Sequence, residues 1–292
     1  MTQGTGLWMA ARRRGWALML AVLAAALLQG DGLSAAGASL KIGFVYVSPV
    51  GDAGWTYQHD LGRRAIERAF GDRVKTSYVE SVPEGADATR VIRGLAASGH
   101  KLIFTTSFGF MNPTIKVAGE FPDVKFEHAS GYKRLDNVAT YLARFYEGRY
   151  LTGLVAGHMT RSNIIGYVAA FPIPEVVRGI NAFTLGVRAV NPAADVRVVW
   201  TSSWYDPGRE REAAEALISQ RADVVTQHTD STAPVQAAQD RGVYAIGYHS
   251  DMSAFGPRAH LTASTHNWSN YYIRRVREFL DNKWKSTNTW EA

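Results

Sequence analysis

The chain has 292 residues, of which 46% are hydrophobic and 20% are charged, with a formal net charge of +6 and no cysteine. This composition supports a large buried core and excludes an intrinsically disordered chain or a disulfide-stabilised miniprotein. The absence of cysteine also excludes thiolate metal sites, a cysteine nucleophile and a lipid-modified N-terminal cysteine. At roughly 150 residues per domain, the length predicts two compact units or one large one.

The first predicted element is a secretory signal peptide. Three consecutive arginines, Arg12 to Arg14, precede an uninterrupted apolar run over residues 16–28, and residues 36–38 form an Ala-Gly-Ala cleavage site. A membrane anchor is the alternative, but spanning a bilayer takes about 20 apolar residues. We therefore expect residues 1–38 to be removed and the mature protein to begin at Ser39, free in the periplasm because no lipobox cysteine is present.

The net charge is partly a property of this leader. Residues 1–38 hold three Arg and one Asp, so the remaining chain carries +4 of the +6. No run of Lys and Arg and no basic stripe interleaved with aromatics follows, which argues against nucleic acid as a partner.

After Ser39, short β-rich runs alternate with amphipathic stretches. In the first half, the pattern predicts strand 40–47, helix 53–70, strand 74–79, helix 86–98, strand 102–106, helix 112–120 and strand 124–128. A helical stretch over 146–159 leads to strand 163–169, helix 174–190, strand 196–201, helix 208–221, strand 223–227, helix 234–241 and strand 243–247. This alternation predicts an α/β fold with two doubly wound lobes built on parallel sheets.

In such sheets, ligands bind outside the carboxyl ends of the strands. The loops that follow the predicted strands therefore border the expected cleft: 48–57, 107–112, 129–133, 170–174, 202–207, 229–232 and 248–251.

Several segments of these loops and elements are similar to those of one known family. They are Gly51–Gln58, Thr106–Phe110, Glu120–Phe126, Phe171–Pro174, Val190–Pro192 and Gly242–Gly247. In this order, over about residues 40–284, they resemble the BMP (basic membrane protein, PnrA-like) family, the substrate-binding proteins of ABC transporters for purine nucleosides and related compounds.

The resemblance implies a type I periplasmic-binding-protein fold, with two Rossmann-like lobes joined by hinge strands around a ligand cleft. It assigns 39–143 and 249–292 to the first lobe and 144–248 to the second. Family members normally extend beyond the point where this chain stops, so a C-terminal crossover and part of the hinge are expected to be missing.

The resemblance also implies that an aromatic residue from each lobe clamps the ligand. Trp55 and Trp204 occupy these positions, and stacking on a base is worth about 1–3 kcal/mol. Phe108 and Phe171 are expected to line the pocket, with ordinary loop packing as the alternative for each. Asp52 is expected to accept hydrogen bonds from ligand N–H groups, with a turn role beside Gly51 as its alternative.

The later loops depart from the nucleoside-binding pattern. Where those relatives place an Asp that binds ribose hydroxyls, this chain has His249, and where they place a Lys it has the run 264–268 with His266 and Trp268. Together with Asp251, these residues complete the predicted ligand set. Because a buried site without hydroxyl partners leaves the ribose unpaired, we predict a free nucleobase, adenine or a close analogue, as the ligand.

Enzyme motifs are lacking: the sequence contains no G-x-S-x-G elbow, P-loop or G-x-G-x-x-G. Asp206 and Glu147 could form a glycosidase-type pair, but helix-cap or hinge roles are favoured. His249, Asp251, His260 and His266 are a conceivable metal set, for which hydrogen bonding is the favoured interpretation.

The sequence thus predicts a monomeric periplasmic binding protein that delivers a purine base to an ABC permease in the inner membrane. It predicts no catalytic residue, metal ligand or cofactor. The alternatives are purine nucleoside binding by the same fold, a secreted nucleoside hydrolase-type enzyme, and a sensor subunit.

Overall fold

A computed structural model describes residue 1 and residues 39–291 of the chain. The predicted signal peptide and its cleavage site lie outside the described residues. No helix within the described ranges has both the length and the apolar character needed to cross a bilayer.

The elements alternate between strand and helix through most of the chain. The strands are β1 Leu40–Val45, β2 Val74–Val79, β3 Leu102–Thr105, β4 Lys125–Ala129, β5 Val138–Ala143, β6 Ile164–Ala169, β7 Asp195–Trp200, β8 Val224–His228, β9 Tyr244–His249, β10 His260–Thr265 and β11 Asn288–Glu291. The helices are α1 Trp55–Phe70, α2 Ala86–Ala97, α3 Met111–Glu120, α4 Phe145–Met159, α5 Pro174–Val190, α6 Pro207–Ser219, α7 Ala233–Arg241 and α8 Ser269–Leu280.

Two parallel sheets organise these elements. The first has the strand order β11-β5-β4-β3-β1-β2 and the second the order β10-β9-β8-β6-β7. The predicted α/β class with two parallel-sheet lobes is confirmed. Strands such as β3 and β6 are buried along their whole length, as expected where helices cover both faces of a parallel sheet.

Each sheet has a hydrophobic core on both faces. In the first lobe, Phe44 stacks on Phe104 with ring centroids 4.7 Å apart in one core cluster, and Ile103 belongs to a separate one. In the second lobe, Tyr167 lies in one cluster and Leu217 in another. These cores hold the carboxyl ends of the strands, and the loops that follow them, in place.

The return of the chain to the first lobe differs from the expected boundary at 248/249. Strand β10 pairs in parallel with β9, Thr265 lying opposite His249, so residues 249–265 complete the second sheet instead of the first lobe. The chain returns only at α8, whose Tyr272 packs in the first-lobe core. The boundary was misplaced because β10 is only half-buried and its polar residues give no apolar alternation.

Candidate ligand-binding site

A narrow cavity lies between the two lobes. The first lobe lines it with Val47, Trp55, Ser107, Phe108 and Ser130. The second lobe lines it with Ile173, Glu175, Trp204, His228, Thr229, Asp230 and His249. Every loop that the sequence analysis places at the cleft supplies at least one of these residues, as expected for the carboxyl ends of parallel strands.

Trp55 forms a rigid aromatic wall on the first lobe. It is the first residue of α1 and is 9% exposed. Its indole Nε1 donates to the Thr106 carbonyl oxygen at 2.6 Å, and His59 contacts the indole edge-to-face with ring centroids 4.3 Å apart. The ring is therefore held on several sides by the protein before any ligand is considered.

Trp204 lies on the second lobe in the loop between β7 and α6, and it is only half-buried. Phe171 packs against it with a centroid distance of 5.1 Å. Its Nε1 donates to Glu84 Oε1 at 3.1 Å, and Glu84 belongs to the first lobe. The structure thus brings both predicted tryptophans to one cavity, but the orientation of Trp204 depends on a contact across the cleft.

Phe108 lines the cavity as predicted, in a turn that also holds Glu84. Glu84 Oε1 accepts from the Ser107 hydroxyl at 2.6 Å and from the Gly109 backbone N–H at 3.0 Å. A Cβ at Gly109 would lie 2.1 Å from the Glu84 carboxyl carbon, so only glycine permits this approach. Phe171, by contrast, lies outside the cavity and reaches it only through its contact with Trp204.

Asp52 and Asp251, which the sequence places in the ligand set, do not line the cavity. Both are exposed. Asp52 lies in a turn between two glycines with positive φ, Gly51 and Gly54, which leaves it in solvent. Asp251 Oδ1 accepts from the Ser253 backbone N–H at 2.8 Å and closes a local turn.

His249 lines the cavity, whereas His266 and Trp268 lie behind it. His249 Nδ1 is 2.7 Å from His266 Nε2, and Trp268 stacks on His59 with centroids 4.9 Å apart. Burial lowers the pKa of His249 well below its ordinary value and lowers that of His266 to about 3. Both imidazoles are neutral at pH 7. One donates a hydrogen bond to the other, and the pair supports the Trp55 indole.

Asp230 is a site residue that the sequence analysis did not single out, although it lies in the predicted loop 229–232. Its carboxyl accepts from the Ser48 hydroxyl and from the Trp55 backbone N–H, both on the first lobe. Its own N–H donates to the Trp204 carbonyl at 2.9 Å. It therefore caps the N-terminus of α1 from the other side of the cleft. Burial raises the pKa of Asp230 to about 7.

Glu175 is a second carboxyl that the sequence analysis missed. It lies in the first turn of α5, and its side chain is 9% exposed. Oε1 lies 3.8 Å from His228 Nε2, beyond hydrogen-bond distance, and Oε2 has no partner among the described residues. Burial raises the pKa of Glu175 to about 7, although the nearby Ser130 side chain opposes the shift.

The lining residues define what the cavity can bind. They include no Lys or Arg, so the cavity offers no cation to a phosphate or carboxylate group. Two indoles, two neutral imidazoles and buried carboxyls instead suit an uncharged, flat molecule with polar edges. No group of three His, Asp or Glu side chains arranged for a metal occurs in the described part of the chain.

The alternative pair of catalytic carboxylates lies elsewhere. Asp206 Oδ1 accepts from the Arg209 backbone N–H at 3.1 Å and caps α6, which confirms its predicted cap role. Glu147 is exposed and pairs with Arg144 at 2.9 Å. Neither residue lines the cavity.

Comparison with known proteins gives one consistent family. Residues 39–292 match the family described as ABC transporter substrate-binding protein PnrA-like. A purine-binding protein of Brucella abortus is 56% identical over 251 residues, which are 86% of this chain and 72% of that protein. A candidate ABC transporter glucose-binding protein of Haloferax volcanii is 42% identical over 87% of this chain and 64% of that protein.

Solved structures share the fold at lower sequence identity. A solute-binding protein of an ABC transporter system from Aeropyrum pernix superposes with a TM-score of 0.74 at 22% identity, over 86% of this chain and 73% of that one. A transcriptional activator of the comK gene from Bacillus halodurans superposes with a TM-score of 0.70 at 24% identity, over 86% of each chain.

Proposed function

Because the chain belongs to the PnrA-like family of ABC transporter substrate-binding proteins, we propose that it captures a purine nucleobase, adenine or a close analogue, between Trp55 and Trp204. Proteins of this family bind a small molecule in the periplasm or outside the cell and interact with a membrane permease. We extend to this chain the purine ligand of its Brucella abortus relative. The ligand is released to the permease without a chemical change.

The observation that carries this proposal is the placement of two indoles on one cavity, one from each lobe. A flat base between two such faces gains stacking on both sides, at about 1–3 kcal/mol for each stacked base–aromatic pair. The polar edge of the base then meets side chains that combine acceptors with neutral donors, including Thr229 and His228.

We favour a free base over a nucleoside because an imidazole, packed among aromatic rings, stands where nucleoside-binding relatives place a ribose-binding Asp. His249 lies with its ring centroid 5.3 Å from that of Trp55 and 3.7 Å from that of Tyr248. The run 264–268, where nucleoside-binding relatives place a Lys, lies behind Trp55 and supplies no lining residue. Ribose hydroxyls would therefore lose their partners in water without gaining equivalent ones.

In this proposal, residues 1–38 direct export and the mature protein works as a periplasmic monomer. Asp230 and Glu84 connect the lobes in the closed form, so binding shifts the population toward that form. The closed form is the one that the permease recognises.

Isothermal titration with adenine, guanine, hypoxanthine, cytosine, adenosine and D-glucose tests the ligand class. We expect adenine or another purine base to bind, and adenosine to bind at least tenfold more weakly because its ribose has no partners. The absence of binding by every purine base, or binding of glucose alone, would overturn the proposal.

The enzyme alternative is tested on the same protein. Incubation with adenosine, followed by chromatographic detection of free adenine, is expected to show no turnover, since the carboxylates of the alternative pair lie outside the cavity. Release of adenine at a rate proportional to protein concentration would contradict the transport function.

A further inference from the structure

The carboxyl of Glu175 has an unusual position for a buried acidic group. It lines the cavity between the lobes with nine-tenths of its side chain buried. Oε2 is shielded from solvent and has no hydrogen-bond partner among the described residues. Buried polar atoms are nearly always paired in folded proteins, so an unpaired one at a binding cavity calls for a partner that the protein does not supply.

The other carboxyls at the cleft differ because Asp230 has a protein donor for each oxygen and Glu84 is exposed to solvent. In Asp230, one oxygen accepts from the Ser48 hydroxyl and the other from the Trp55 backbone N–H. In Glu84, a single oxygen accepts from Ser107, Gly109 and Trp204. These two groups hold the lobes together, whereas Glu175 retains a free oxygen for a ligand.

Four charged or titratable side chains surround the carboxyl of Glu175. Arg178 lies on the same helix, Arg149 on α4, His228 on β8 and Tyr248 on β9. Burial raises the pKa of Glu175 to about 7, and the two arginines oppose this shift from a distance. Burial keeps His228 neutral by lowering its pKa well below the ordinary value.

We propose that Glu175 determines the specificity of the cavity by accepting a hydrogen bond, through Oε2, from an N–H group on the edge of the bound heterocycle. The ligand class is a planar nitrogen heterocycle that carries a ring N–H or an exocyclic amino group. This inference rests on the proposed function and names the polar contact that the stacked base makes with the second lobe.

A consequence is that binding releases protons. Because burial raises the pKa of Glu175 to about 7, a fraction of the Glu175 side chains is expected to be protonated at pH 7 in the free protein. An N–H donor stabilises the carboxylate and lowers its pKa, so the ligand displaces the proton. Titration of adenine in two buffers with different ionisation enthalpies at pH 7 measures the number of protons released.

The variants Glu175→Met and Glu175→Gln test the contact. Met fills a similar volume without an acceptor and is expected to weaken adenine binding about tenfold or more. Gln keeps an acceptor oxygen and is expected to recover most of the affinity, but neither variant releases protons at this site. Asp251→Asn, which changes an exposed carboxylate outside the cavity, serves as the matched control and is expected to match the wild type.

The outcomes separate this inference from the proposed function. If wild-type protein binds no purine base, the proposed function fails and this inference fails with it. If wild-type protein binds adenine and Glu175→Met has the same affinity, or if both Glu175 variants release as many protons as wild type, only the role of Glu175 is overturned. Circular dichroism and the melting temperature show that the variants are folded.

Discussion

The two walls of the cavity are built differently. On the first lobe, Trp55 is locked by a hydrogen bond to Thr106 and by aromatic rings on several sides. On the second lobe, Trp204 is half-buried, and its indole N–H is held by Glu84 from the opposite lobe. The indole N–H of the first wall is bonded within its own lobe, and Asp230 of the second lobe binds only the Trp55 backbone N–H, whereas the indole N–H of the second wall is bonded across the cleft.

Because of this difference, we expect the two lobes to contribute differently to ligand binding. A preorganised surface loses little side-chain entropy when a ligand stacks on it. A surface that depends on contacts across the cleft instead links ligand capture to closure, because its contacts exist only in the closed population. We expect the first lobe to supply most of the stacking energy and the second to supply closure and selectivity.

The substitution Trp55→Ala is expected to have the largest effect. It removes a stacking face and also opens a buried cavity, so adenine affinity falls by at least about 100-fold and the protein loses about 3–5 kcal/mol of stability. Trp204→Ala removes stacking from a half-exposed ring, and its affinity falls by about tenfold with little loss of stability. Titration calorimetry and thermal denaturation measure both; equal losses of stability in the two variants would contradict the division between the walls.

Asp230→Ala is expected to have the next largest effect on binding. It removes the bridge from the second lobe to Ser48 and to the N-terminus of α1, at about 2 kcal/mol, or about 30-fold in affinity. Small-angle scattering with saturating adenine reports the closed population. A variant that closes as completely as wild type at the same ligand occupancy would show that this bridge does not control closure.

The carboxyls of the cavity and the buried histidines are expected to contribute to stability with opposite pH dependence. Glu175 and Asp230 have folded pKa values of about 7, above their unfolded values, so their contribution is full below pH 4 and is lost as the pH rises to about 7. The buried His249 and His266 act in the opposite sense, because their lowered pKa values add stability as the pH rises toward about 6.5.

Relative to the double variant Glu175→Gln, Asp230→Asn, the melting temperature of the free wild-type protein is therefore expected to fall between about pH 4 and pH 7. The double variant lacks the two titrating carboxyls, so its own pH profile reports the remaining groups, including the buried histidines. A decline of the same size in wild type and double variant would assign the pH effect to other groups.

Glu84→Gln is expected to have the smallest effect among the cleft residues. Glu84 is exposed at the rim, so weakening its bond to the Trp204 indole costs about 0.5–1 kcal/mol and accelerates ligand dissociation about two- to fivefold. Stopped-flow tryptophan fluorescence measures this rate. Asp52→Asn, an exposed carboxylate outside the cavity, is the control and is expected to leave the rate unchanged.

Much of the fold was predictable because its elements carry strong local patterns. Helix 174–190 and strand 74–79 have the predicted bounds. Strand β10 and helix α8 were not predicted, since β10 is a half-exposed polar strand and α8 owes its place to packing against the first-lobe core. The boundary between the lobes, expected at 248/249, was misplaced for the same reason.

The candidate site was predictable at the level of loops and only partly at the level of residues. Trp55, Trp204, Phe108 and His249 line the cavity as predicted, but Asp52 and Asp251 point to solvent. A loop sequence does not determine which way each side chain faces. Glu175 lies just beyond a predicted loop, in the first turn of a helix, and the orientation of that helix brings its carboxyl to the cavity.

The sequence by itself determined the alternation of strands and helices, the resemblance to the BMP family and the loops that border the cleft. These features depend on local periodicity and on motifs in chain order. Only the tertiary structure decided which carboxyls hold the lobes together and which one remains free. The bond from Ser48 to Asp230 joins residues 182 positions apart, and such a contact is set by the packing of two sheets and not by any neighbouring sequence.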